Sequence, residues 1–308
     1  MQVHRNIEQL PSFRKAVITI GTFDGVHRGH REVIAKLKEE AARIDGETVI
    51  ITFHPHPRKV VSSAILGIRL INTMEEKIEL LSGLGIDHLV IVPFTEAFAN
   101  QPAEDYIRSF LIDKFHPHTI IIGYDHRFGR DRLGDFRLLE KYAHQYDYAL
   151  KEIPKHLLEN ISISSTNIRE AILHSDFETA NKLLGYEFFF TGVVVHGDKL
   201  GRKLGYPTAN LKTRDEEKIL PGNGIYAVYA QTADGVDRKG MMSIGFRPTV
   251  DGKKRVVEVN LFDFNEEIYD QDLKVVVKKY LREEIKFNGL DELIAQMGKD
   301  RVTSLSVL

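Results

Sequence analysis

Ala16-Val17-Ile18-Thr19-Ile20-Gly21-Thr22-Phe23-Asp24-Gly25-Val26-His27-Arg28-Gly29-His30 joins a strand pattern to a helix start through a glycine-rich turn. Residues 16–20 are a short apolar, β-branched run. A glycine-rich turn follows, and then an amphipathic stripe of Val33, Ile34, Leu37 and Ala41, with Lys36, Lys38, Glu39 and Glu40 largely on the outside. Similar runs recur at 48–53 (TVIITF), 88–92 (HLVIV) and 119–122 (TIII). Near-continuous runs of this kind suit strands buried on both faces of a parallel sheet. Helical patterns lie between them. Thr73 and Glu76 have capping-box spacing ahead of Ile78 and Leu81, and Pro102 opens a further helix through Phe110 and Leu111. The expectation is an α/β half with a doubly wound parallel sheet and right-handed crossovers.

Further along the chain the texture changes near Gly185, a suitable left-handed cap for the helix that ends at Leu183-Leu184. Short strands at 188–196, 225–231, 240–244, 256–262 and 273–279, broken by turn residues, predict a small antiparallel β-barrel or sandwich. A terminal helix at 291–297 is expected to pack on it. Two domains follow, 1–185 and 186–308.

Composition agrees with two ordinary globular domains: 308 residues, 43% hydrophobic and 28% charged. A net charge of −2, from 42 Lys+Arg against 44 Asp+Glu, gives no field for polyanions, so nucleic acid is not the expected partner. The absence of cysteine excludes disulfides, thiol nucleophiles, thiolate zinc and iron–sulfur clusters. Residues 1–14 lack the apolar core of a secretory signal, and runs such as 188–195 fall short of the roughly 20 residues that span a bilayer. A soluble, cytoplasmic protein without a membrane partner is expected, its oligomeric state open.

Parallel α/β sheets bind ligands beyond the carboxyl ends of their strands, and helix N-termini attract anions. Gly21, Gly25 and Gly29 let backbone approach a ligand closely. His27 and His30, three apart, place two imidazoles on one side of the first helical turn, suited to an anionic phosphorus transition state. The pair does not have zinc-protease spacing, and no Gly-x-Gly-x-x-Gly is present. Residues 192–199 (GVVVHGDK) mimic a P-loop but carry Asp198 where the lysine belongs. Taken alone, the two histidines are also compatible with plain helix capping. Three further clusters belong to the same sheet edge: His54-Pro55-His56-Pro57, the 123–129 loop (GYDHRFG), and the 160–169 helix start, with Ser164, Thr166 and Arg169.

The second half opens with His196-Gly197-Asp198-Lys199-Leu200-Gly201-Arg202-Lys203-Leu204-Gly205-Tyr206-Pro207-Thr208-Ala209-Asn210. Its spaced glycines allow a loop whose amides wrap phosphates, and Thr208 and Asn210 share a face in an extended segment. They could offer oxygens to one Mg²⁺, or form a polar strand edge beside a turn. On strand 256–262, Glu258 and Asn260 alternate with Val257, Val259 and Leu261. Glu258 is either a proton acceptor or a solvent-facing carboxylate.

HxGH at 27–30 with ISSTxIR at 163–169 resembles the adenylyltransferase module of prokaryotic bifunctional flavokinase/FAD synthetases, within the HxGH nucleotidyltransferase superfamily. PTAN at 207–210, PGNGIY at 221–226, SIGFRPT at 243–249, VEVNLFDF at 257–264 and LREEIKF at 281–287 are similar to riboflavin kinases in the same order. The resemblance implies phosphorylation of riboflavin to FMN and adenylylation of FMN to FAD, with ATP as co-substrate, Mg²⁺ as cofactor and flavins as substrates and products. By that likeness His27, His30, Arg169 and Glu258 are catalytic. Gly21, Phe23, Asp24, Gly25, Gly29, Ser164 and Thr166 bind nucleotide in the first half; Gly197, Lys203, Gly205, Pro207, Thr208 and Asn210 do so in the second. Thr208 and Asn210 also hold the metal. His54, Pro55, Asp125, Arg127 and Phe128 bind flavin. Tyr124, His126 and Asn260 depart from the family pattern. The competing expectations are an HxGH adenylyltransferase for another phosphate ester with a supporting barrel, and a non-catalytic flavin-binding regulator.

Overall fold

A computed structural model describes residues 1–61, 69–154, 163–197, 200–249 and 252–308. Packing divides the chain into two units, Met1–Ser165 and Thr166–Leu308.

The first unit is built on six parallel strands: β1 (Gln2–His4), β2 (Val17–Ile20), β3 (Thr48–His54), β4 (His88–Pro93), β5 (Thr119–Gly123) and β6 (Ala149–Ile153). Their order is β1-β4-β3-β2-β5-β6, with Val17 opposite both Thr48 and Thr119. The four apolar runs became the four central strands. Side-chain alternation sends Ile18 and Ile20 into one core and Val17 into another, so helices cover both faces. The chain winds from β2 out to β3 and β4, then returns to lay β5 on the other side of β2. The turn after β2 therefore leaves the sheet at its topological switch point.

Helix α1 (Arg28–Ile44) buries Ile34, Leu37 and Ala41 as its stripe requires. Glu40 corrects the expectation: its side chain is 4% exposed, held between Arg43 at 2.8 Å and Lys151 of β6 at 2.5 Å. Two cations compensate the burial of that carboxylate. The Thr73–Glu76 capping box opens α2 (Met74–Ser82) with both reciprocal bonds formed. The helix after Pro102 is wound wide over Tyr106–Ile112, as a π-helix. Helix α3 (Phe136–Tyr146) precedes β6.

The boundary falls after Ser165, the first residue of α4 (Ser165–Leu173); in the second unit α5 (Phe177–Leu184) follows and ends at Gly185, which caps it at φ 79°. A closed antiparallel barrel follows: β7 (Phe189–Val195), β8 (Ala209–Thr213), β9 (Gly224–Gln231), β10 (Asp237–Thr249), β11 (Gly252–Leu261) and β12 (Asp272–Arg282), in the order β10-β11-β8-β7-β12-β9. The sandwich alternative is thereby excluded. Helix α6 (Leu290–Val307) runs well past the expected end at Met297. Its second half is anchored by an ion pair and a small buried side chain rather than by an apolar stripe: Asp300 pairs with Arg282 at 2.6 Å, and Ser304 is fully buried.

Candidate active sites

The turn after β2 is wound tightly. Phe23, Gly25 and Val26 have φ of 48°, 88° and 35°, and Gly25 is the residue that fits this backbone without strain. A Cβ on Gly25 would also stand 3.0 Å from the Ile71 side chain. Gly21 donates its N–H to the Ile51 carbonyl at 3.0 Å, and a Cβ there would press on the Phe23 ring at 3.2 Å. Phe23 itself is a core residue, 2% exposed. Asp24, expected to contact nucleotide, is 2% exposed, and its Oδ1 accepts the N–H groups of Ile71 at 2.9 Å and Asn72 at 3.4 Å. That carboxylate fastens the turn to the segment ahead of α2.

His27 is the N-cap of α1, its Nδ1 accepting the His30 N–H at 3.3 Å. Capping and ligand binding are compatible here, because Nδ1 serves the helix and leaves the proton on Nε2. The two imidazoles stack at 3.6 Å between centroids and 13° between planes. Gly29 permits this: a Cβ there would touch the His27 ring at 3.3 Å. Burial first, then the neighbouring His27 and Lys77, hold the His30 pKa well below the usual imidazole range. His30 is therefore uncharged at neutral pH. Its Nδ1 is buried without a hydrogen-bond partner among the described residues.

The loops after β3 and β5 flank this turn because β2 lies between those strands. Thr52 donates its hydroxyl to the Thr22 carbonyl at 3.2 Å. His54 is exposed and Pro55 half-buried at the end of β3. In the loop after β5, Asp125 is exposed and Arg127 pairs with Asp135 at 3.2 Å. Phe128 is 6% exposed and stacks on Tyr106 at 4.9 Å, so it anchors the loop to the core. Burial pushes the His126 imidazole down to about 4, and its Nε2 is buried without a partner among the described residues.

Ser164 is exposed, and Ser165, the last residue of the first unit, donates its hydroxyl to the Asp24 carbonyl at 3.1 Å. Thr166 and Arg169 follow on α4 and pack with the second unit. Asn160, Ile161 and Ser162 lie outside the described residues.

In the barrel, Glu258 of β11 stands directly opposite Asn210 of β8, while Val257 and Val259 point into the core. The Glu258 carboxylate is met by Arg247 at 3.0 Å, which also reaches Glu284 at 3.0 Å. The glycine loop runs close over β8. A methyl on Gly197 would collide with the Asn210 side chain, and one on Gly201 would stand 3.2 Å from the Thr208 hydroxyl. Gly205 has φ 82°. Asp198, Lys199 and the Lys203 side chain lie outside the described residues. Asn260 is 6% exposed and donates its amide to the Pro207 carbonyl at 2.6 Å, which fixes the entry to Thr208.

A cavity of about 380 Å³ opens beside this segment, lined by Pro207, Thr208, Ala209, Val259, Leu261 and residues 264–269. This is the volume range of small-molecule sites. Strand β8 thus leads from the cavity rim at Thr208 to the face that Asn210 shares with Glu258. Of the 264–269 lining only Phe264 falls in a recognised motif; 265–269 is an irregular segment without glycine or repeated polar spacing. Lys77 was missed as well: it is 6% exposed beside the first turn and donates to the Thr22 carbonyl at 2.6 Å.

Comparison with known proteins adds independent support. A family described as FAD synthetase matches residues 10–167, and one described as riboflavin kinase matches residues 184–308. Bifunctional riboflavin kinase/FMN adenylyltransferases are similar along almost the whole chain. The protein from Escherichia coli K12 is 36% identical, covering 97% of this chain and 94% of its own. That from Buchnera aphidicola is 38% identical, covering 97% and 96%. A crystal structure titled a macrolide-efflux protein, from Streptococcus pneumoniae, superposes with a TM-score of 0.87 at 30% identity over 98% of both chains. Among the described residues of this chain, no helix is long and apolar enough to cross a membrane. With two family matches in tandem and relatives aligned almost end to end, the chain belongs to the bifunctional riboflavin kinase/FMN adenylyltransferase family.

Proposed function

We propose that this chain makes both flavin cofactors in sequence. Riboflavin and ATP give FMN in the barrel half, 186–308, and FMN and ATP give FAD and pyrophosphate in the α/β half, 1–185. The observation that carries this reading is the presence of two separately built polar sites, the stacked His27–His30 pair at the switch point of the sheet and the Glu258–Asn210 pair on the barrel.

For adenylylation, an FMN phosphate oxygen attacks the α-phosphorus of ATP in line, and the bond to pyrophosphate breaks. The histidines supply N–H donors to the charge that grows on the phosphorus oxygens, as preorganised dipoles rather than as acids. Gly21, Gly25 and Gly29 admit the nucleotide close to backbone. By the family likeness, Ser164, Thr166 and Arg169 grip phosphates, while His54, Pro55, Asp125 and Arg127 border the flavin. For phosphorylation, Glu258 accepts the proton of the riboflavin 5′-hydroxyl as its oxygen attacks the γ-phosphorus and ADP departs. Gly197, Lys203 and Gly205 belong to the loop that closes over the phosphates, and the cavity beside Thr208 takes the nucleotide.

The Thr208 hydroxyl and Asn210 amide oxygen fit Mg²⁺, a hard cation that takes few protein ligands together with waters and phosphates. Among the described residues no cluster of three His, Asp or Glu offers a competing metal cage. Bound there, Mg²⁺ would neutralise charge on the ATP phosphates. A cysteine-free chain fits work in the reducing cytoplasm.

The test is a single incubation of pure protein with riboflavin, ATP and Mg²⁺, with the flavins separated over time. FMN should rise first and FAD follow. Accumulation of FMN alone would remove the adenylylation half, and unchanged riboflavin would remove both.

A further inference from the structure

Lys77 is a buried charge to which the chemistry above gives no role. It lies on α2 and is 6% exposed. Its ammonium donates to the Thr22 carbonyl at 2.6 Å and reaches the Thr52 hydroxyl at 3.5 Å, while Thr52 donates to the same carbonyl at 3.2 Å. That carbonyl therefore collects two donors, one of them charged, just before the left-handed run of Phe23, Gly25 and Val26. A charged donor binds more strongly than a neutral one, and a backbone held in sparsely populated conformations persists only when its surroundings over-determine it. The opposite flank of the turn is fastened by Asp24 to Ile71 and Asn72, immediately ahead of α2. The same short region of chain thus grips the turn at Thr22 and again at Asp24.

We propose that Lys77 is a positioning residue of the adenylyl-transfer site, clamping through the Thr22 carbonyl the turn that carries His27 and His30. The inference rests on the adenylylation reading above. The lysine has a second effect: its positive charge, close to His30, adds to burial in keeping that imidazole unprotonated. Facing Lys77 are Asp24 in the turn, His30 on α1 and the uncharged Thr52 on β3. Glu76, its neighbour on α2, is turned back to the Thr73 N–H at 3.0 Å. Burial pushes the lysine pKa down to about 8, with Asp24 pulling the other way. The clamp loses its charge as pH rises through that value.

The experiment uses the full chain and follows both activities, with riboflavin phosphorylation as an internal control. Lys77→Met should lower kcat for FAD formation from FMN by about 100-fold, the scale of a displaced site, with KM for ATP little changed. Riboflavin phosphorylation should keep its rate. Wild-type FAD formation should decline on the alkaline side near pH 8, and Lys77→Arg, whose guanidinium stays charged, should lack that decline. NMR of the His30 imidazole should show it titrating below the usual imidazole range in the wild type and at higher pH in Lys77→Gln. FAD formation at the wild-type rate in Lys77→Met would overturn the proposal, as would an unchanged alkaline decline in Lys77→Arg. If Lys77→Met fails to fold, the Lys77→Arg profile and the His30 titration decide. If the wild type forms no FAD at all, the adenylylation reading fails, and the His30 titration still decides whether Lys77 governs that histidine.

Discussion

The α/β unit holds its candidate site from beneath, through buried polar groups, whereas the barrel carries its own on a strand face under half-open ion pairs. Asp24, Lys77 and His27 are 2%, 6% and 7% exposed; Lys77 and His27 bond backbone of the turn and of α1, and Asp24 bonds backbone ahead of α2. The side chains of Glu258 and its partner Arg247 are 26% and 44% exposed. In the first unit the groups that shape the site are part of the fold. In the second, a closed barrel supplies the frame and the reacting groups project from it. Chemistry and stability should therefore separate in the barrel and stay entangled in the sheet.

The sharpest test of that contrast is Glu258→Ala. It should cut FMN formation from riboflavin by about 10²- to 10⁴-fold, the value of a positioned base, without lowering the melting temperature. FAD formation from supplied FMN should persist, and parallel loss of both activities would break the division of labour. Replacing His27 and His30 together by alanine should do the reverse, slowing FAD formation by about 10²- to 10³-fold while FMN accumulates. Because His27 also caps α1, this pair should lower thermal stability too, by about 1 kcal/mol for the cap alone. Calorimetry that finds no loss would contradict the entanglement. Asn260→Ala should weaken the barrel site about tenfold by releasing the Pro207 carbonyl, with no effect on FAD formation from FMN.

The smallest effect is on acid stability. Hydrogen bonding to Arg43 first, against the cost of burial and with help from Lys151, lowers the Glu40 carboxyl from 4.5 to about 2. Its stabilising contribution is present above the unfolded value and lost as pH falls from 4.5 towards 2. Melting temperatures of the wild type and Glu40→Gln should therefore converge at low pH and diverge above pH 5. A gap that stays constant with pH would show that the ion pairs contribute nothing.

Much of this was legible in the residues themselves. Four apolar runs, a capping box and Gly185 located the central strands, the start of α2 and the end of α5. The elements that escaped have physical reasons. Strand β1 has three residues, too few for any period, and β6 (ALKEI) is a polar edge that does not resemble its buried neighbours. Strand β8 is short and follows a glycine-rich loop that reads as a turn. Within the candidate sites, spacing singled out the HxGH pair but left helix capping open, and Glu258 stood out only through the family likeness. Lys77 did not, because a lysine on an amphipathic helix ordinarily faces water, and only the packing of α2 against the turn makes it interior. Asp24 reads as a nucleotide-facing carboxylate, and nothing local reveals that the N–H groups of Ile71 and Asn72 come to meet it.

The sheet order has one more consequence, for what happens between molecules. An open β-sheet ends in two rows of unpaired backbone groups, a template on which a second chain can add. Here one border strand is β1, barely long enough to offer a pairing, and the other is β6, which presents Lys151 and Glu152 to solvent. The barrel closes on itself and has no such border. At high concentration this polypeptide should accordingly resist strand-by-strand aggregation, although nearly all of its central strands are built from the β-branched residues that drive it.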